Sequence, residues 1–156
     1  MHDDNYYMGL ALEEAQKAYD LGEVPIGAVL VIDGQVAAKA HNLRETCQDA
    51  TAHAEVIVIQ ETCQKLRRWR LTGATLYVTI EPCPMCAGAL VNSRVDRLVY
   101  GSADYKAGAV ESLFNVVQNE ALNHRMAVTA GVRGDECSAI MKAFFRQRRK
   151  KTTTVD

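Results

Sequence analysis

The stretch that decides the fold is Thr75-Leu76-Tyr77-Val78-Thr79-Ile80-Glu81-Pro82-Cys83-Pro84-Met85-Cys86. Its first six residues are apolar, aromatic or β-branched and read as a strand. Glu81-Pro82-Cys83-Pro84 then ends the strand and opens a helix, because Pro84 suits the first helical position and Cys83 the cap before it. Cys83 and Cys86 stand three apart on that first turn and can face the same way. The partial positive charge of a helix N-terminus favours the thiolate form of both.

Upstream, Val56, Ile59, Cys63 and Leu66 recur at helical spacing, so His53 and Glu55 fall in the first turn of a second helix. Residues 5–21 form a first amphipathic helix, with Met8, Ala11, Leu12, Ala15, Ala18 and Tyr19 on one face, a cap among Asp3, Asp4 and Asn5, and Gly22 past its end. Gly27 to Ile32 runs continuously apolar into Asp33-Gly34, a type I′ hairpin signal, and Gln35 to Ala40 continues as the partner strand. Both hairpin strands are expected near the sheet centre or well covered, and the polar segment His41 to Ala50 as a loop.

Downstream, Val95 to Tyr100 reads as a strand ending at Gly101, 102–111 as a loop and 113–118 as a short helix. Ala127 to Val132 reads as a last strand and Asp135 to Arg149 as a helix with Cys137, Ile140, Met141 and Phe144 inward. Strands and helices alternate, which predicts a single α/β domain over residues 1–156 with a sheet largely parallel after its opening hairpin.

With 156 residues and 48% hydrophobic composition, one full-sized core suffices. Ile26 to Ile32 is too short to span a bilayer, and residues 1–20 lack the cationic and apolar regions of a signal peptide, so a soluble, intracellular protein with no membrane partner is expected. Five cysteines is an odd count. Cys83 and Cys86 are spaced as a metal or redox pair, and Cys47, Cys63 and Cys137 are expected as buried thiols. Five of the 18 Lys and Arg lie in the last eleven positions, which carry +4 against −5 for residues 1–145. This basic helix end, 146–151, can be a phosphate-binding arm or a solvated terminus favoured by the helix dipole, and composition favours the second.

Cys83-x-x-Cys86 alone also suits a redox pair or a zinc ribbon, although a ribbon would want a second cysteine pair that the other three do not form. His53 alone is more often an ordinary partly buried histidine. Their conjunction changes the odds: a helix starting His-Ala-Glu and one starting Pro-Cys-x-x-Cys are joined by one helix and one strand, a crossover that can bring the two helix starts to one sheet edge. Three ligands, His53, Cys83 and Cys86, leave the fourth position of a tetrahedral zinc open for water, which is the catalytic arrangement, and Glu55 is left over as a base.

The chain resembles the cytidine deaminase-like superfamily and, within it, the bacterial tRNA-specific adenosine deaminases that make inosine at the wobble position. The resemblance rests on Glu23-Val24-Pro25-Ile26-Gly27-Ala28, His41-Asn42, Thr51-Ala52-His53-Ala54-Glu55, Trp69-Arg70-Leu71, Leu76-Tyr77-Val78-Thr79, Glu81 to Ala89 and Leu122-Asn123-His124-Arg125. It implies a three-layer α/β/α fold with a five-stranded mixed sheet, a cytoplasmic homodimer, one zinc ion per chain and a tRNA anticodon arm as partner. By the same resemblance His53, Cys83 and Cys86 match the zinc ligands, and Glu55 the proton shuttle. Asn42, Ile26 and Ala54 match the base pocket, and Asp104, Lys106, Asn123, Phe145 and Arg149 match positions that approach RNA. The chain departs from the family at Glu111, where Gly commonly precedes the Ser-Leu that is here Ser112-Leu113; a capping side chain pointing to solvent is expected. A deaminase of a free base or nucleoside would share the zinc site, and a non-enzymatic zinc-stabilised RNA-binding module would leave Glu55 without a task.

Overall fold

The computed structural model describes residues 2–154, with side chains through Lys150. The elements follow in the order α1 (Asp4–Asp20), β1 (Gly27–Ile32), β2 (Gln35–His41), α2 (Arg44–Cys47), α3 (Ala54–Leu66), β3 (Ala74–Ile80), α4 (Pro84–Asn92), β4 (Arg97–Ser102), β5 (Ala127–Ala130) and α5 (Gly134–Thr154). They build one five-stranded sheet in the order β2-β1-β3-β4-β5, so the Thr75–Ile80 run lies in its middle strand. β1 is antiparallel to both neighbours, while β3, β4 and β5 are parallel. The sheet is therefore mixed.

Alternation along the strands sorts the core into two layers. Ala28, Leu30, Ile32, Leu76 and Val78 pack with Val58 of α3 and Leu90 of α4. Val29, Val31, Tyr77 and Val99 pack on the other face with Met8 and Ala11 of α1 and Cys137 of α5. The result is the expected three-layer α/β/α arrangement. Gly27 permits the closest approach between layers: a Cβ there would collide with the Ala11 carbonyl and lie 2.6 Å from Ala15 N, so α1 rests directly on the β1 backbone. Asp33 and Gly34 both have positive φ, 54° and 73°, as a type I′ turn requires. Asp4 ties α1 to β3 and β4 by accepting from Arg97 Nη1 and Nη2, at 2.9 and 2.7 Å, and from the Tyr77 hydroxyl.

Several expectations are corrected. β2 is an edge strand whose residues are mostly exposed or half-buried, since Gln35 and Lys39 face water. Within 41–50 the chain makes one helical turn, α2, because the buried Glu23 carboxylate accepts from the Glu45 and Thr46 amides and caps it. No helix forms over 113–118. The amides of Val110, Glu111 and Ser112 go to the Glu81 carboxylate instead, and Leu113 N and Val116 N reach back to Gly108 O and Ala109 O. β5 stops at Ala130, before a turn in which Gly131 and Arg133 have positive φ. Of the three lone cysteines only Cys137 is buried; Cys47 is exposed on α2 and Cys63 half-buried. Glu111 is exposed, yet its carboxylate is engaged, accepting from the Tyr100 hydroxyl. Lys151, at the end of the basic segment, and residues 1, 155 and 156 of the expected domain lie outside the described side chains. Among the described residues no helix is long and apolar enough to cross a membrane.

Candidate metal centre and its cleft

β2 and β3 both run opposite to β1, so their C-terminal ends lie at the same sheet edge, and α3 and α4 start there. In open α/β sheets this is where ligands bind. His53 is the N-cap of α3 and Cys83 the N-cap of α4, each in extended conformation, and neither side chain caps its own helix. Both turn toward each other instead. His53 Nδ1 lies 3.6 Å from Cys83 Sγ and 3.5 Å from Cys86 Sγ. A tetrahedral zinc with its usual bond lengths to nitrogen and sulfur would set these N-to-S edges at about 3.6 Å. Among the described residues this is the one group of His, Cys, Asp or Glu side chains spaced to hold a metal ion. Two thiolates and an imidazole suit zinc, whereas calcium and magnesium take oxygen.

The charges conform to that chemistry. Without a cation two such close thiols cannot both ionise, so the Cys86 thiol hydrogen-bonds to Cys83 and pulls the Cys83 thiol down to about 4. The same bond pushes Cys86 up, and a dication would take the place of that shared proton. Bonding to Cys83 raises His53. Glu55, in the first turn of α3, is 3% exposed and burial pushes its carboxyl up to about 7. Its Oε1 is buried with no hydrogen-bond partner, an expensive state for a group with no function. A carboxyl that gains and loses a proton near neutrality, beside an open ligand set, is suited to proton transfer.

Glu55, His53, Ala54, Asn42 and Ile26 line a cavity of about 90 Å³ together with Val24 and Arg44. Asn42 is held rigidly, its Oδ1 accepting from Arg44 N at 3.0 Å and its Nδ2 donating to Val24 O at 3.4 Å. Val24 and Ile26 also line a groove of about 1210 Å³ between the 102–106 segment and α5, so the two spaces adjoin. Asp104, Lys106, Phe145 and Arg149 all face that groove, as do Arg146 and Arg148. The structure thus brings together every candidate residue except Asn123, which is exposed in a turn and lines neither space. The sequence offered no site role for Val24, Arg44, Tyr105 or Lys142, which also line these spaces, had Met141 only as a core residue, and offered none for Glu23 and Glu81, which hold the loops around them. The one signal available for the two carboxylates was an acidic side chain next to an otherwise apolar run.

Residues 2–149 match the family of MafB19-like deaminases. The chain is 56% identical over 97% of its length, and 94% of the relative's, to the tRNA-specific adenosine deaminase of Bacillus subtilis. A solved structure from a study of A-to-I editing by tRNA:A34 deaminases at the wobble position of transfer RNA superposes with a TM-score of 0.84, at 47% identity, covering 86% of this chain and 98% of that one. A guanine deaminase of Bacillus subtilis superposes with a TM-score of 0.64, at 33% identity, covering 74% of this chain and 73% of that one. A shared fold, a His-Cys-Cys cluster and this level of identity place the chain in the MafB19-like deaminase family, alongside the bacterial tRNA-specific adenosine deaminases.

Proposed function

We propose that this protein hydrolytically deaminates adenosine to inosine at the wobble position of a tRNA anticodon, using one zinc ion held by His53 Nδ1 and the Sγ atoms of Cys83 and Cys86. The observation that carries the substrate is the groove: Lys106, Arg146, Arg148 and Arg149 border a space that adjoins the metal pocket at Val24 and Ile26. A free base needs only the small pocket, whereas a phosphate backbone needs a basic track beside it.

A zinc ion held by His53, Cys83 and Cys86 would supply a water acidic enough to attack at neutral pH. Glu55 is placed to take the proton of the attacking water and pass it to N1 of the adenine as the C6–O bond forms. It then moves the second proton to the exocyclic nitrogen, which leaves as ammonia, so water is consumed and inosine formed. Asn42, its amide fixed by Arg44 N and Val24 O, orients the base against Ile26 and Ala54. Asp104, Lys106, Phe145 and Arg149 receive the flanking nucleotides, Phe145 by stacking. Asn123 meets RNA outside the groove. The whole chain acts as one deaminase domain in the cytoplasm and as a homodimer, to which the exposed apolar side chains Met85, Leu113 and Phe114 would contribute.

One incubation tests this reading: the zinc-loaded protein with an anticodon arm carrying adenosine at the wobble position, alongside free adenosine, cytidine and guanine. Inosine in the RNA alone is expected. Ammonia released from a free compound, with the RNA untouched, would favour the second reading, a free-base deaminase, which the 33% identity to a guanine deaminase supports.

A further inference from the structure

Glu81 is 2% exposed, two residues before the ligand Cys83, and it does not reach the metal cluster. Its carboxylate is spent entirely on the segment that follows β4. Oε1 accepts from Asp104 N at 3.0 Å and from the Ser112 hydroxyl. Oε2 accepts from the amides of Val110, Glu111 and Ser112 at 3.0, 2.8 and 3.0 Å. One side chain therefore ties both ends of the 104–112 loop to the strand end that carries the cysteines. Gly108 is pressed against it: a Cβ there would meet the Glu81 carboxylate and lie 2.5 Å from Asp104 O. The chain of positioning continues outward, because Asp104 Oδ1 accepts from the Lys106 and Ala107 amides, and Asp104, Tyr105 and Lys106 form one wall of the groove.

We propose that Glu81 is a positioning residue for the nucleic acid, fixing the 104–112 loop as a groove wall so that Lys106 meets a phosphate beside the reactive base. This rests on the RNA reading above. An irregular loop without regular pairing along 104–112 has no ladder to hold it, so five hydrogen bonds to one buried carboxylate set its place. Glutamine at this position keeps the shape but presents an NH2 group to at least two of those donors. The wall then loosens while His53, Cys83, Cys86 and Glu55 stay in place.

The test compares the parent, Glu81→Gln, Lys106→Ala and the double variant on the anticodon arm, all zinc-loaded. Glu81→Gln should raise KM at least tenfold, keep kcat within about threefold and retain one zinc per chain. Its slope of log affinity against log salt should fall by about 0.7, the loss of one single-strand phosphate contact. The double variant should bind no worse than the weaker single variant, since both lose the same contact. Gly108→Ala, which leaves the carboxylate intact, should reproduce the KM effect, and it carries the test if Glu81→Gln fails to fold. An active parent with unchanged KM in both loop variants, or additive losses in the double variant, would overturn this role alone. A parent inactive on RNA would overturn the functional reading, and this role with it.

Discussion

Replacing Glu55 by Gln separates the proposed proton shuttle from the metal ligands. Gln fills the same space but cannot exchange a proton. Glu55 is asked to act twice, as base toward water and as acid toward the purine, and one such transfer is worth about 10²–10⁴ in rate. The variant should therefore lose at least about 10⁴ in kcat, equivalent to about 5 kcal/mol of barrier. Stability should move the other way in metal-free protein. Burial raises the Glu55 carboxyl from its ordinary value to about 7, so the native state holds this proton more tightly than the unfolded chain. That raised value costs stability as pH climbs from about 4.5, and the cost is complete above about pH 7. Glutamine removes it, so the metal-free variant should unfold at a higher temperature than the metal-free parent at pH 7.5. Inosine formation in the anticodon arm, metal analysis and thermal unfolding are the three assays. Full zinc occupancy with a rate within tenfold of the parent would refute the assignment of Glu55.

Cys83→Ala should leave one thiolate and one imidazole, too few for a tight site, and metal analysis should find well under one zinc per chain. Full occupancy would overturn the ligand set. Deleting residues 146–156 removes Arg146, Arg148 and Arg149 from the groove, and the salt slope of RNA binding should fall by about 2. An unchanged slope would return the basic end to a solvated helix terminus. At Asp4, the bidentate Arg97 guanidinium holds the carboxyl below its ordinary range, so it contributes stability above about pH 4 that is lost as pH falls through the lower native value. Asp4→Asn should accordingly destabilise at pH 7 by about 1 kcal/mol and by much less near pH 2, as read by denaturant unfolding.

Much of the architecture and of the metal centre was legible in the residues. Helix starts, the Asp33-Gly34 turn and the buried strand Thr75–Ile80 are written in a few neighbouring positions, because caps, turns and periodicity act over less than two turns of chain. The candidate donor set His53, Cys83 and Cys86 was equally local, since His53 and Cys83 cap the two helices, Cys86 lies in the first turn of the second, and the crossover can bring both starts to one sheet edge. What the sequence could not show depends on partners far along the chain. Glu23 caps α2 from more than twenty residues away, and Glu81 takes the amides of 110–112 from about thirty, so a helical turn appears where a loop was expected and a helix fails where one was expected. Cys47 is exposed because that extra turn buries none of its residues, and β2 lies at an edge because no strand among the described residues pairs beyond it. The groove likewise exists only where α5 passes the 102–106 segment, which turns a run of arginines of ambiguous meaning into one wall of a cleft. The sequence by itself determined most of the elements, the candidate metal donors and the candidate base. Only the tertiary structure decided which loops those donors sit beneath and what holds the loops, because a hydrogen bond between distant residues is specified by the fold and not by its neighbours in the chain.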